Sequence, residues 1–333
     1  MKRIYLVPAA VLGMSVALAG CGSSGSSNKS SAPAGGSTSG STTPTVTSSA
    51  SSSAPLPSST ATYPAGAGSI TIGSAGFTEN EILADIYAGA LQAKGVKVQK
   101  KLNIGERAQY IAALKDGSID FVPEYSGTIL GFYDTSTTAK SPADVYTALE
   151  TKVPATQAVL NPSPAQDSDT ITVTKKTADK YHLKTIGDLA SVASQLTLGA
   201  PAQFKTKAAG VPALKSVYGV TFGNFTPLQA GGAITIAALK NGTVDAANIF
   251  STDPAIAANG FVSLTDDKSM FAAQNIVPLV NKAKMTKTIA DAANAVSAKL
   301  DTATLGVLVG KVTNDKKTAD AVAKEWLASA GLG

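Results

Sequence analysis

IAALKDGSID, residues 111–120, decides the fold because the chain contains this stretch twice. Residues 236–245 read IAALKNGTVD, which is identical at seven of ten positions and conservatively substituted at the other three. In each copy an aromatic residue stands five positions after the closing aspartate, Tyr125 in the first copy and Phe250 in the second. We therefore interpret the two copies as the two halves of one site.

The similarity extends upstream of both copies. Residues 70–77 (ITIGSAGF) resemble residues 196–204 (LTLGAPAQF), and each run leads into a helical stretch, a second β-prone run and the repeated helix. Each half thus has the order βαβαβ, which builds a mostly parallel sheet covered by helices. We predict an α/β protein of two lobes, with a cleft where the matching loops meet at the strand carboxyl ends.

Two crossings between the lobes are expected. The sequence NPSP at residues 161–164 predicts a rigid turn, and IVPLV at residues 276–280 predicts a return strand. Apolar residues at helical spacing then continue to the C-terminus and are expected to complete the first lobe. Two crossings are what a hinge-closing binding protein needs. The expected lobes are residues 69–164 with 276–333, and residues 165–275.

Two local features of the first half bear on the cleft. The sequence TENE, which begins at Thr78, fits a capping box, so the first turn of the helix offers its amides to a ligand carboxylate. A cap that serves only the helix explains the same residues equally well. Residues 119–122 predict a strand, and the following Pro123, Glu124 and Tyr125 predict its exit loop.

The first twenty residues have the pattern of a secretory signal peptide. Lys2 and Arg3 precede an apolar run over residues 4–17, and the sequence LAGC that ends at Cys21 resembles the bacterial lipobox. We expect Cys21 to be lipidated and to hold the protein at the outer face of the bacterial cytoplasmic membrane. An uncleaved anchor is less favoured, because the apolar run is shorter than the roughly 20 residues that span a bilayer.

Residues 22–68 consist almost entirely of Ser, Thr, Gly, Ala and Pro. Such a segment buries too little apolar surface to fold, and as a flexible coil it reaches roughly 35 to 40 Å. A glycosylated stalk is the alternative. Cys21 is the only cysteine, which excludes a disulfide, and loss of Lys2 and Arg3 lowers the formal charge from +5 to +3, too little to indicate nucleic-acid binding.

Beyond the linker the chain resembles the extracytoplasmic substrate-binding proteins of ABC importers for osmoprotectants such as glycine betaine, choline and carnitine. The resemblance implies a type II-like periplasmic-binding-protein fold, a monomer without cofactor, a small-molecule osmolyte as ligand, and an ABC permease with its ATPase as partners. The motifs that carry it are GSAGFTEN (73–80), ALKDGSID with PEYSGT (113–128), FGN with ALKNGTVDAANIFSTD (222–253) and LTDDK (264–268).

In that family aromatic rings, mostly tyrosines, surround the quaternary ammonium of the ligand. A methylated cation donates no strong hydrogen bond, and each ring face contributes about 0.5 to 2 kcal/mol. The resemblance places Tyr125 and Phe250 at two of the family's tyrosines. A third tyrosine is replaced by Asp169, a lysine by Ala75 and an arginine by Lys207.

These replacements favour a choline-like or other cationic ligand over glycine betaine, because Asp169 or Asp167 would add a carboxylate to the site. Tyr125 and Phe250 also have the alternative of packing in the core, and Glu124 and Asp253 that of accepting backbone amides. The remaining candidate ligand-binding residues are Ser74, Phe77, Thr78, Ser126, Thr128, Gln203, Lys207, Thr252 and Asp253. For Phe77, and for Phe204 in the matching loop, a core position is the more common role.

Two other functions compete with import. An enzyme would depend on His182, the only histidine, or on a carboxylate pair such as Glu79 and Glu124, and the sequence has no phosphate-binding Gly-Lys-Ser or dinucleotide motif. We therefore predict that the protein is not an enzyme. A sensor or accessory lipoprotein that binds a ligand without feeding an importer is the second alternative, and the sequence does not separate it from a transport component.

Overall fold

The computed structural model describes residues 63–66 and 68–333. The expected signal peptide, Cys21 and nearly all of the expected linker lie outside the described residues. Within the part of the chain that is described, no helix is both long enough and apolar enough to cross a membrane.

The described residues form two five-stranded sheets with helices on their faces. The strands are β1 (Ser69–Gly73), β2 (Lys97–Lys101), β3 (Phe121–Tyr125), β4 (Gln157–Val159), β5 (Asp169–Thr174), β6 (Thr197–Ala200), β7 (Asn224–Pro227), β8 (Ala246–Phe250), β9 (Phe261–Ser263) and β10 (Ile276–Asn281). The α-helices are α1 (Thr78–Ala93), α2 (Arg107–Asp116), α3 (Ser126–Tyr133), α4 (Pro142–Lys152), α5 (Lys175–Tyr181), α6 (Val211–Tyr218), α7 (Gly232–Lys240), α8 (Ala255–Asn259), α9 (Lys287–Ser297), α10 (Thr302–Thr313) and α11 (Ala319–Ala330).

The two sheets have the same layout. Their strand orders are β2-β1-β3-β10-β4 and β7-β6-β8-β5-β9. In each sheet the three strands of one half are parallel. The fourth strand pairs antiparallel with the third strand of that half, β10 with β3 in the first sheet and β5 with β8 in the second. The two-lobed α/β fold predicted from the repeat is confirmed.

The closing aspartate of each repeat has the same structural role. Asp120 Oδ2 accepts the Thr71 backbone N–H at 2.9 Å, and its own N–H donates to the Thr71 carbonyl at 2.7 Å. Asp245 makes the same two bonds to Thr197, at 2.9 and 3.0 Å. The repeated sequence therefore ends in aspartate because this side chain aligns the third strand of each half with the first.

The first turn of α1 differs from the prediction. Phe77 is its N-cap and makes no side-chain capping bond, so the predicted capping box at Thr78 is wrong. Asn80 instead ties the first turn to its surroundings, since its Oδ1 accepts from Ala75 N at 2.7 Å and its amide donates to the Pro123 carbonyl at 2.9 Å. These bonds fix the loop between β1 and α1 against the end of β3.

The predicted exit loop at residues 123–125 is also wrong, because these residues belong to β3 and are buried. β10 runs antiparallel along the whole of β3 and pairs Ile276 with Tyr125, so the ladder continues three residues farther than the local sequence suggests. Ser126, the residue after β3, begins α3.

The first core lies between the first sheet and α1, α9, α10 and α11, and it includes the ring of Tyr125. The chain crosses between the sheets twice, and the two crossings run side by side. Ser163 N donates to the Ile276 carbonyl at 2.8 Å, and Gln166 and Asn275 form an antiparallel bridge. The candidate residues of both halves lie at strand ends next to these crossings.

Candidate ligand-binding site

Tyr125 and Phe77 form a stacked pair of rings at the end of the first half. Their centroids are 6.1 Å apart and their planes differ by 28°. Tyr125 is 7% exposed, whereas Phe77 is 46% exposed. Phe77 therefore presents a ring to solvent with Tyr125 packed beside it, and a core position for Phe77 is excluded. Phe204, in the matching loop, is 2% exposed and does lie in the core of the second lobe.

Glu79 lies next to this ring pair and was missed as a binding candidate. Its Oε1 accepts the Tyr125 hydroxyl at 2.7 Å, and the residue is only 6% exposed. Burial and, to a smaller extent, the nearby charge of Asp167 raise the pKa of Glu79 to about 7, while the neighbouring Thr252 and Tyr125 hydroxyls oppose the shift. The sequence signal for Glu79 was its place in the first turn of α1, directly after the loop that has a counterpart in the second half.

Asp167, on the first crossing, lies near enough to Glu79 for its charge to act on that carboxyl group. The Thr252 hydroxyl donates to Asp167 Oδ1 at 2.9 Å, and Thr252 follows β8 in the second half. Burial raises the pKa of Asp167, and hydrogen bonds from the side chain and the backbone of Thr252 oppose the shift. Carboxyl groups from α1 and from the crossing thus meet beside a hydroxyl from the second half.

The second half contributes Phe250 and Asp169, which are paired between β8 and β5. Phe250 is 43% exposed, so its ring is available to a ligand. Asp169 accepts the Asn248 amide at 3.0 Å and forms an ion pair with Lys207 at 3.3 Å. The carboxylate predicted to add negative charge is therefore partly neutralised by Lys207.

Two of the candidate serines are buried and already bonded to the backbone. The Ser74 hydroxyl donates to the Ala75 carbonyl at 3.0 Å and accepts from Asn103 N at 2.8 Å. The Ser126 hydroxyl donates to the Ala273 carbonyl at 3.1 Å. Both serines hold loops of the site in place.

Thr128 and Asp253 also shape the site through local bonds. Thr128 donates both its N–H and its hydroxyl to Gln274 Oε1, at 3.0 and 2.8 Å. Asp253 Oδ1 accepts from Ala255 N at 2.9 Å at the start of α8, which is the structural alternative expected for it. Thr78 is half-buried at the start of α1, and Gln203 is exposed.

Glu124 supports Tyr125 from within the first half. It is fully buried, and Arg107 binds it through Nε and a terminal nitrogen at 2.9 and 3.0 Å. The Tyr110 hydroxyl and the Tyr125 backbone N–H complete its contacts, at 2.8 and 3.1 Å. The expectation that Glu124 accepts a backbone amide is confirmed.

A separate cavity of about 290 Å³ adjoins the crossings, with Gln166, Ser168 and Ala273 among its lining residues. Of the candidates it includes only Asp169, and neither Tyr125 nor Phe250 lines it, so it is distinct from the ring site. Among the described residues, no group of His, Asp and Glu side chains is arranged to hold a metal ion. His182 is an exposed residue that ends α5 with a φ of 54°.

Two relatives match about four fifths of this chain. Glycine betaine-binding protein YehZ of Escherichia coli is 28% identical over 279 residues, which cover 80% of this chain and 92% of the relative. Carnitine transport binding protein OpuCC of Listeria monocytogenes is 27% identical over 282 residues, covering 81% of this chain and 90% of the relative.

Solved structures agree with these sequence matches. The crystal structure of a glycine betaine/carnitine/choline ABC transporter protein superposes with a TM-score of 0.74 at 25% identity, covering 79% of this chain and 99% of the other. Apo YehZ from Escherichia coli superposes with a TM-score of 0.72 at 28% identity, with the same coverage.

The family model for the substrate-binding domain of ABC-type glycine betaine transport systems matches residues 68–329. This range contains every strand and helix described above except the end of α11. The chain therefore belongs to the family of substrate-binding domains of ABC-type glycine betaine transport systems, whose members are binding components and not enzymes.

Proposed function

We propose that this protein captures a small quaternary-ammonium osmolyte of the glycine betaine, choline or carnitine type and delivers it to an ABC permease. The observation that carries the proposal is the Phe77–Tyr125 ring pair beside the buried carboxyl group of Glu79. Ring faces attract a methylated cation without needing a hydrogen bond from it. The names of the Escherichia coli and Listeria relatives point to the same class of solute.

Within this class we favour a cation such as choline over a zwitterion such as glycine betaine. The carboxyl groups of Glu79 and Asp167 repel the carboxylate of a zwitterion and attract an ammonium group. Lys207 is the cation that lies near them, and Asp169 already pairs with it. Choline offers a hydroxyl in place of a carboxylate and avoids this repulsion.

We propose that the ligand binds between the strand ends at Tyr125 and Phe250 and that the lobes close about the crossings near Pro164 and Pro278. The lobes of this proposal are residues 69–164 with 276–333, and residues 165–275. Two adjacent crossings permit hinge closure, and a ligand that contacts both lobes shifts an existing equilibrium toward the closed form.

The proposal includes a tether. Lipidation of Cys21 would hold the binding protein at the outer face of the cytoplasmic membrane, and residues 22–68 would let it reach the permease. A sensor that binds the same ligand is the second candidate. Genes for a permease and an ATPase beside this one would favour import.

Thermal unfolding of the purified protein tests the ligand class. The solutes to compare are choline, carnitine, glycine betaine and common amino acids. A ligand present at 100 times its dissociation constant stabilises the folded state by about 2.7 kcal/mol, which raises the melting temperature. We expect the largest shift with choline. A shift with an amino acid and with no quaternary amine would refute the proposal.

A further inference from the structure

Glu79 is a buried carboxyl group that a hydroxyl holds and that has no cation beside it. It is 6% exposed, and its Oε1 accepts the Tyr125 hydroxyl at 2.7 Å. The Thr252 hydroxyl has one O–H, and it donates that O–H to Asp167 Oδ1 at 2.9 Å.

Burial favours a proton on Glu79. An ionised carboxyl group that leaves water without a cation beside it is strongly unfavourable, and the nearby negative charge of Asp167 adds to this cost. A proton retained on Glu79 removes the cost.

The charges around Glu79 do not replace that proton. The charge of Asp167 raises the pKa of Glu79, and the charges of Asp169 and Asp253 raise the pKa of Asp167. The nearby cations have other partners, since Lys207 pairs with Asp169 and Arg107 pairs with Glu124. Neither Glu79 nor Asp167 forms an ion pair with any described residue. The raised pKa values of both groups agree with a retained proton.

We propose that Glu79 carries a proton in the unliganded protein and that the cationic group of the ligand displaces it. This inference rests on the proposed function, because it requires a cation at the ring pair. The exchange is balanced: the O–H bond of Glu79 breaks, the proton goes to solvent, and the quaternary ammonium supplies the positive charge in its place. Glu79 and Asp167 thereby become determinants of specificity for a cation.

Titration calorimetry with choline tests the exchange directly. The protein is titrated at pH 6 in two buffers of different ionisation enthalpy, which gives the number of protons released per ligand. With a Glu79 pKa of about 7, we expect nearly one proton released at pH 6 and almost none at pH 8. The dissociation constant should be about tenfold larger at pH 6 than at pH 8.

Three variants assign the proton. Glu79→Gln keeps a side chain of the same length that accepts from Tyr125, and it should bind choline weakly, with no proton release and no pH dependence. Asp167→Asn should also reduce the release at pH 6. Glu81→Gln, on the same helix, should retain the full release. Equal release from wild type and Glu79→Gln, or a wild-type dissociation constant independent of pH, would overturn the inference while leaving the proposed function intact.

A measurement without ligand separates the two proposals. The folded state holds the Glu79 proton more tightly than the unfolded state, so this contribution to stability is present below about pH 4.5 and is lost as pH rises to about 7. Wild type should therefore lose stability relative to Glu79→Gln between pH 5 and pH 8 in urea unfolding. If the difference in unfolding free energy between wild type and Glu79→Gln is the same at pH 5 and pH 8, Glu79 does not retain a proton. This result does not depend on whether any quaternary amine binds, so it is separate from the proposed function.

Discussion

The buried ion pair behind Tyr125 gives a sharp test of how the site is held together. Glu124 is fully buried and receives two hydrogen bonds from Arg107, while the Arg107 side chain is 25% exposed. Arg107→Met keeps much of the aliphatic stem but removes the charge and both bonds. Breaking a buried pair from one side costs about 3 to 5 kcal/mol, because the remaining charge is left uncompensated.

We expect the lower end of that range. Glu124 retains the Tyr110 hydroxyl and the Tyr125 N–H as donors, so a loss of about 3 kcal/mol in the free energy of unfolding is the expected result. Urea unfolding followed by the fluorescence of Trp326 is the assay, since this single tryptophan lies in the core of the first lobe. With a slope of about 3 kcal/mol per molar urea, the midpoint should fall by roughly 1 M.

Two further variants complete the experiment. Lys175→Met breaks an exposed ion pair with Asp179 and should change stability by no more than about 0.5 kcal/mol. Glu124→Gln placed in the Arg107→Met background removes the unpaired charge and should recover at least about 1 kcal/mol. The reasoning is refuted if Arg107→Met is as stable as Lys175→Met, because Glu124 would then not depend on its arginine.

Three other predictions follow from the site and the repeat. Tyr125→Ala should weaken binding of the preferred quaternary amine by at least roughly tenfold in calorimetry, whereas Phe132→Ala, at an exposed ring on α3, should leave it unchanged. Phe204→Ala should cost about 3 to 5 kcal/mol in urea unfolding, and Phe77→Ala less than about 1 kcal/mol; equal costs would contradict the different burial of these rings. Asp245→Ala should cost about 1 to 3 kcal/mol, since it removes the acceptor of the Thr197 N–H.

The repeat predicted the architecture well because it contains the residues that set strand order. Asp120 and Asp245 bind the first strand of their own half, so the spacing of the motif already specifies which strands are neighbours. Gly117, which follows the first repeat helix, has a φ of 81° and ends the helix, because glycine adopts this conformation without steric cost.

The sequence failed where the deciding contact is distant along the chain. Tyr125 was expected in a loop because Pro123 interrupts the strand pattern, but its partner Ile276 extends the ladder from the other crossing. Glu79 was overlooked for a related reason. Its hydrogen-bond partner Tyr125 lies 46 residues farther along the chain, and no local pattern connects the two residues.

The two halves share a fold but have diverged in their charges, which suggests an order of events in binding. Glu124 and Tyr125 stand where the second repeat has Ile249 and Phe250. In the first half, the ion pair and the bond to Glu79 fix the Tyr125 ring before a ligand arrives. In the second half, Phe250 is exposed at the end of β8. A preorganised surface binds without a further ordering cost, so the ligand should settle first on the Phe77–Tyr125 pair, and Phe250 should cover it on closure.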